Sequence, residues 1–334
     1  MTTSPNPPLL LNLIALSPQI RAQLLAAGLH IHDVDSRRDS PLTSLLNTQV
    51  AANARLLLTN GTTGLSAAQM QALPNLELVC AFGAGYENID VATATARGIA
   101  VANAPNTNGE TVADHALALM LAAARGLVTL DRAVKAGGWE SHRAARPTLN
   151  GARLGMVGLG NIGQGIARRA QAFGMSVGYH TRSPRPEVDP AWQHYANVID
   201  LARESDFLVL ACPGGAATHH LVDTDVLAAL GPRGFLVNVA RGSVVNTVAL
   251  IEALCDGLIA GAALDVYETE PEVPSALRML ENVVLTPHMS GRSPAAQQAQ
   301  IDALLANIRA HLAGVALPCA VNVINAVSAP NIAR

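Results

Sequence analysis

A chain of 334 residues is too long for one ordinary core and has the length of two domains. Half of it is hydrophobic but only 3% is aromatic, so Ala, Leu, Val and Ile must fill the cores, a composition suited to helices packed on parallel strands. The net charge of −3 lacks the clustered Lys and Arg of a nucleic-acid binder, and no apolar run reaches the roughly 20 residues of a bilayer span.

Residues 1–8 read as a disordered tail, and the apolar run 10–16, with no basic residue ahead of it, as a buried first strand rather than a signal peptide. Further strand-like runs follow at 56–59, 78–81, 100–102, 153–157, 176–180, 207–211, 234–238, 261–265 and 283–285. Ala-rich segments of helical period lie between many of them, notably 112–125 and 162–173, and a last helix is expected over 295–312. Strand, helix, strand order predicts an α/β fold with parallel sheets. Breaks at "NAPNTN" (103–108) and near 291–294 suggest a discontinuous first domain, 1–103 plus 292–334, around an inserted dinucleotide-binding domain, 104–291.

The four cysteines, Cys80, Cys212, Cys255 and Cys319, form no CxxC pair, which points to a reducing, cytoplasmic setting without disulfides. No metal site is indicated: His219 and His220 read as surface residues, and His115 as structural.

"GLGNIG" (158–163) sits between a predicted strand and a predicted helix, the context that turns a weak glycine pattern into a dinucleotide site. Gly158 permits the tight turn, Gly160 the approach of backbone to pyrophosphate, and Gly163 close packing. The phosphates belong on the helix N-terminus opened by Asn161 and Ile162. Where an acidic residue would grip the adenosine ribose, the chain has His180, Thr181, Arg182 and Ser183. Arg182 and Arg185, with the Ser183 hydroxyl, suit a 2′-phosphate and predict preference for NADP(H), with NAD(H) possible; the plain alternative is a solvated loop.

"GLGNIG", "NVARGSVV" (238–245), "ALDVYETEP" (263–271) and "TPHMSG" (286–291) stand in the order and spacing of the D-isomer-specific 2-hydroxyacid dehydrogenases, and the chain resembles their glyoxylate/hydroxypyruvate reductase branch. The resemblance extends to "VCAFGAGYENID" (79–90). It implies two Rossmann-like domains with an interdomain active-site cleft, a homodimer, and reduction of a small 2-oxo acid to the D-2-hydroxy acid. It also implies Arg241 as the substrate arginine, His288 as the acid/base that donates the proton, and Glu270 as the carboxylate partner of that histidine. Those three residue types suit the chemistry independently: a guanidinium grips a carboxylate at two points, and a histidine exchanges a proton near neutral pH.

The resemblance further implies Asp265 on the nicotinamide carboxamide, Pro213 and Thr218 near phosphates and ribose, and peptide groups around Ala240 at the ring edge. The small residues at 83–85 form an expected anion nest in which Ala84 and Gly85 meet the substrate carboxylate. Trp139 reads as an interface aromatic. Two rivals stay open: a dinucleotide-sensing interaction protein on the same fold, and an NAD-dependent dehydrogenase of the formate or phosphite type.

Overall fold

The computed structural model describes residues 7–34 and 48–324. Apart from Pro7 and Pro8, the tail read from the sequence lies outside the described residues. The chain forms two compact units, Met1–Asn108 with Ser293–Arg334, and Gly109–Arg292; the sequence reading placed these joints at 103/104 and 291/292.

The first unit is built on a five-stranded parallel sheet in the order β2-β1-β3-β4-β5. Its strands are β1 (Leu9–Asn12), β2 (His30–Asp33), β3 (Leu56–Thr59), β4 (Leu78–Ala81) and β5 (Ala100–Ala102). β3 and β4 are buried along their whole length, as strands covered by helices on both faces must be. The apolar run that began at Leu10 leaves the sheet after Asn12. There the Asn12 amide donates to the carbonyl of Ile14 and to the Asp33 carboxylate, turning the chain out of the strand. β2 is an edge strand of sequence HIHD, without the apolar run that marks its neighbours.

The terminal helix Pro294–Leu312 returns to this unit. Ser293 caps it, accepting from the Ala296 amide, and Pro294 opens it with a fixed φ and no lost donor. Ile301, Leu304, Leu305 and Ile308 enter one face of the core beside Leu10, Leu24, Leu56, Leu58 and Leu78. His311 meets Glu77 at 3.0 Å, and Gln298 pairs with Gln23.

The second unit carries a seven-stranded parallel sheet, β12-β11-β10-β9-β6-β7-β8. Its strands are β6 (Arg153–Val157), β7 (Ser176–His180), β8 (Gln193–His194), β9 (Phe207–Leu210), β10 (Phe235–Asn238), β11 (Gly261–Leu264) and β12 (Val283–Leu285). The chain runs outward from β6 to β8 and then restarts at β9 on β6's other side. A crevice therefore opens beyond the carboxyl ends of β6 and β9, the usual ligand position in such sheets. On one face the helices Gly109–Arg125 and Asn161–Ala172 pack together, tied by Arg169 to Glu110 and Asp114 at 2.7 Å each. On the other face lie the helices Val198–Arg203, Thr224–Leu230 and Thr247–Cys255. Among the described residues no helix is long and apolar enough to cross a membrane, and the four cysteines are unpaired.

Candidate active site and dinucleotide cradle

The turn after β6 is fixed by steric necessity. Gly158 has φ of 91°, and a Cβ there would stand 2.7 Å from the Cys212 amide nitrogen; a Cβ on Gly163 would stand 2.3 Å from the Gly158 carbonyl oxygen. Only hydrogen at both positions lets β6, the next helix and the loop after β9 approach this closely. Gly160 is the N-cap and provides no side-chain acceptor, so the amides of Ile162 and Gly163 keep their capacity to meet an anion; around Gly160 itself a Cβ position is open space. These features fit a pyrophosphate cradle.

The turn after β7 lies alongside, because the Gly158 amide donates to the His180 carbonyl at 3.0 Å. The Thr181 hydroxyl donates to the Ser183 carbonyl at 2.6 Å, which folds the turn on itself. The Arg182 side chain is exposed and finds no hydrogen-bond or ion-pair partner among the described residues. Arg185 differs: its guanidinium pairs with Glu187 at 2.9 Å and reaches the Leu159 carbonyl, while its amide donates to the Tyr179 hydroxyl. The two arginines thus stand in different situations, one free and one already engaged.

On the far side of the crevice, the Thr218 hydroxyl donates to the Pro213 carbonyl at 2.7 Å, closing the loop 213–218. The Ala240 amide donates to the Asn238 side chain, and its carbonyl accepts from Arg241. Asn238, which sequence reasoning did not single out, also donates to the Arg241 carbonyl and so shapes the whole turn after β10. Arg241 packs on Gly214, where a Cβ would lie 2.8 Å from its Cγ.

His288 and Glu270 meet directly. The carboxylate Oε2 stands 2.7 Å from His288 Nδ1, and Oε1 accepts the Tyr267 amide at 3.0 Å. Burial pushes the Glu270 carboxyl up, but the His288 bond and charge, the Tyr267 amide and the nearby Arg241 charge outweigh it and hold the group below its usual value. Glu270 is therefore the acceptor and Nδ1–H the donor, which leaves Nε2 as the nitrogen available for chemistry. The imidazole is 39% exposed, against 18% for the glutamate, so the ring faces outward from a buried anchor.

The backbone of His288 is strained, with φ of 49°, and Asp265 holds it there. The His288 amide donates to the Asp265 carbonyl at 2.8 Å. The fully buried Asp265 carboxylate accepts from the Met289 and Ser290 amides, both at 2.9 Å, and from the Thr286 hydroxyl at 2.6 Å. His115 completes this group, its Nε2 standing 3.1 Å from the Thr286 hydroxyl. These contacts make Asp265 the anchor of the loop that carries His288, a task separate from the carboxamide contact that family resemblance implies. Thr286 went unassigned from sequence, and its position inside the "TPHMSG" motif was the available signal; His115 was read as structural, and here it meets Thr286.

In the first unit, the loop after β4 turns its carbonyls inward: Gly83 accepts from the Ala104 amide and Ala84 from the Asn103 side chain, each at 2.8 Å. The amides of Gly83, Ala84 and Gly85 donate to no acceptor among the described residues. Trp139 is 65% exposed.

The family model for the D-isomer specific 2-hydroxyacid dehydrogenase, NAD binding domain, matches residues 117–290. The chain belongs to this family. A glyoxylate/hydroxypyruvate reductase A of Arabidopsis thaliana is 41% identical over 279 residues, covering 83% of this chain and 88% of the relative. A hydroxyphenylpyruvate reductase of Plectranthus scutellarioides is 38% identical over 265 residues, 79% and 84% of the two chains. Among solved structures, the NADPH-dependent glyoxylate/hydroxypyruvate reductase of Sinorhizobium meliloti, in complex with NADP and malonate, superposes with a TM-score of 0.87 at 37% identity, covering 95% of this chain and 97% of the other. For a 2-hydroxyacid dehydrogenase the arrangement is chemically coherent: Arg241, Glu270 and His288 each follow the carboxyl end of a strand of one sheet, β10, β11 and β12.

Proposed function

We propose that the protein reduces a small 2-oxo acid, of the glyoxylate or hydroxypyruvate type, to the D-2-hydroxy acid with a nicotinamide dinucleotide, NADP(H) in preference to NAD(H). The Glu270–His288 pair at 2.7 Å carries this reading, because it presents a proton donor on a buried anionic anchor close to a guanidinium. When bound, the dinucleotide supplies the hydride that reduces C2. Arg241 grips the 2-oxo acid through its planar fork and polarises the carbonyl, and His288 Nε2 delivers a proton to the carbonyl oxygen. The developing alkoxide is neutralised as it forms, and Glu270 stabilises the imidazolium required beforehand. The free amides at 83–85, including Ala84 and Gly85, are assigned to an anionic group of the substrate.

The NADP(H) preference rests on Arg182, exposed beside the glycine turn with no acidic residue at the end of β7. Ser183 contributes its hydroxyl, and Arg185 borders the same turn. Pro213, Thr218 and Ala240 line the other side of the crevice. The reading includes a homodimer in a reducing, cytoplasmic setting; the exposed Leu127, Val128 and Val134 on the helix Leu127–Lys135 offer an apolar face for such an association. Following nicotinamide absorbance with a panel of 2-oxo acids and both reduced cofactors tests the proposal. Cofactor binding without turnover on any acid would favour a sensing protein, and activity confined to formate or phosphite with NAD would favour the oxidative rival.

A further inference from the structure

We infer that His219, His220 and Glu268 form a binding site for a divalent transition metal of the zinc class, outside the catalytic pair. Sequence alone presented His219 and His220 as two surface histidines. The fold brings Glu268, 48 residues later, to 2.7 Å from His220 Nε2 and so completes a set of three donors from two loops. The potential ligand atoms all lie within 4.8 Å of one another. With bonds of about 2.0–2.2 Å, tetrahedral donors stand roughly 3.3–3.6 Å apart, so an ion requires the His220–Glu268 pair to open from 2.7 Å while the farther donor atom, within 4.8 Å, draws in.

The surroundings prepare the donors. The two imidazoles are stacked with centroids 3.9 Å apart and planes 29° from parallel. His220 has φ of 51°, a conformation costly for a histidine, and its amide is tied to the Ser243 carbonyl at 2.8 Å. The second oxygen of Glu268 accepts the Thr247 amide at 3.0 Å, which orients the first toward His220. His220 and Glu268 side chains are 35% and 25% exposed, leaving an open side for a solvent ligand. Two imidazoles and one carboxylate suit Zn²⁺, Co²⁺, Ni²⁺ or Cu²⁺ rather than the all-oxygen shells of Ca²⁺ and Mg²⁺. An ion here takes the place of the hydrogen between His220 Nε2 and the Glu268 carboxylate. It also fastens the loop carrying Pro213 and Thr218 to the loop that ends in Glu270.

The test uses the untagged full chain carrying Cys255→Ser, which removes the exposed thiol as a competing ligand, after treatment with a chelator. Zn²⁺ is titrated against a chromophoric competitor, and Co²⁺ is followed by its visible absorption. One equivalent should bind, with a tetrahedral cobalt spectrum. His219→Ala, Glu268→Gln and His220→Asn should each weaken binding by at least about tenfold. Asparagine tolerates the left-handed backbone at 220, so that variant removes the ligand without forcing a refold; far-ultraviolet circular dichroism verifies folding. Absence of saturable uptake, or an unchanged affinity in the double variant His219→Ala/His220→Asn, would overturn the assignment.

Discussion

At the scale of single residues, the contrast between Arg182 and Arg185 determines what cofactor selectivity should depend on. Arg185 is already paired with Glu187, whereas Arg182 is exposed beside the phosphate turn. A charge-assisted contact to a 2′-phosphate is worth about 1.5–3 kcal/mol, roughly tenfold to a hundredfold in affinity. Arg182→Ala should therefore raise KM for NADPH by that factor and leave NADH almost unchanged; equal losses for both would make the arginine structural. The proton donor makes a second prediction. Reduction needs the charged ring, so kcat/KM for the 2-oxo acid should fall along an alkaline limb, with the opposite dependence for oxidation of the hydroxy acid. Glu270→Gln removes the charge that favours the imidazolium, and the limb should move to lower pH. His288→Ala should cost on the order of a hundredfold or more in both directions while NADPH affinity survives. Superimposable pH profiles for wild type and Glu270→Gln would remove the glutamate from proton tuning.

At the scale of elements, the proposed catalytic residues Arg241, Glu270 and His288 sit on loops in backbone contact. A Cβ at Gly242 would stand 1.9 Å from the Tyr267 carbonyl carbon, so the turn carrying Arg241 and the turn carrying Glu270 touch main chain to main chain. Tyr267 then clamps the next turn, its hydroxyl donating to the Leu264 and Thr286 carbonyls at 3.0 and 2.9 Å. Burial, with the nearby Asp265 charge adding to it, pushes that phenol up to about 12, so it remains a donor at any working pH. Gly242→Ala must push these loops apart. We expect a loss on the order of 3 kcal/mol in unfolding stability and a disproportionate loss of turnover, checked by denaturant melts beside kinetics. A stable, fully active Gly242→Ala protein would mean that the two turns can separate without consequence.

At the scale of the whole molecule, stability depends on the terminal helix returning to the first unit. Ile301, Leu304, Leu305 and Ile308 are buried there, and at about 1.5–3 kcal/mol each their removal forfeits on the order of 6–12 kcal/mol, comparable to the entire stability of a domain. A chain ending at residue 292 should therefore lose the cooperative unfolding of its first unit, measured by calorimetry against the full chain. The same helix brings His311 to Glu77. Burial raises the Glu77 carboxyl, but hydrogen bonds from Arg55 and His311 prevail and hold it below its usual value. A carboxylate held low stabilises the fold above its free value of about 4.3 and withdraws that support as pH falls through the lowered one. Glu77→Gln should accordingly flatten the fall of Tm on acidification, and an unchanged slope would show that other carboxylates dominate.

The sequence by itself determined the parts that depend on local pattern. Continuous apolar runs marked β3, β4 and β9 at or near their ends, because strands buried on both faces need nearly unbroken hydrophobicity. Four ordered motifs marked the family and the residues Arg241, Glu270 and His288. What escaped was whatever depends on position in the sheet or on partners distant along the chain. β2 and β8 are edge strands whose short polar sequences carry no periodic signal, and they exist because a neighbour offers its hydrogen bonds. The Asp265 carboxylate became a loop anchor only when the fold delivered Thr286, Met289 and Ser290 to it, 21 to 25 residues away. His219 and His220 gained their glutamate in the same way. Periodicity and motif are written in neighbouring residues, whereas the partners of a buried carboxylate are chosen by packing, which brings together groups that no local pattern relates.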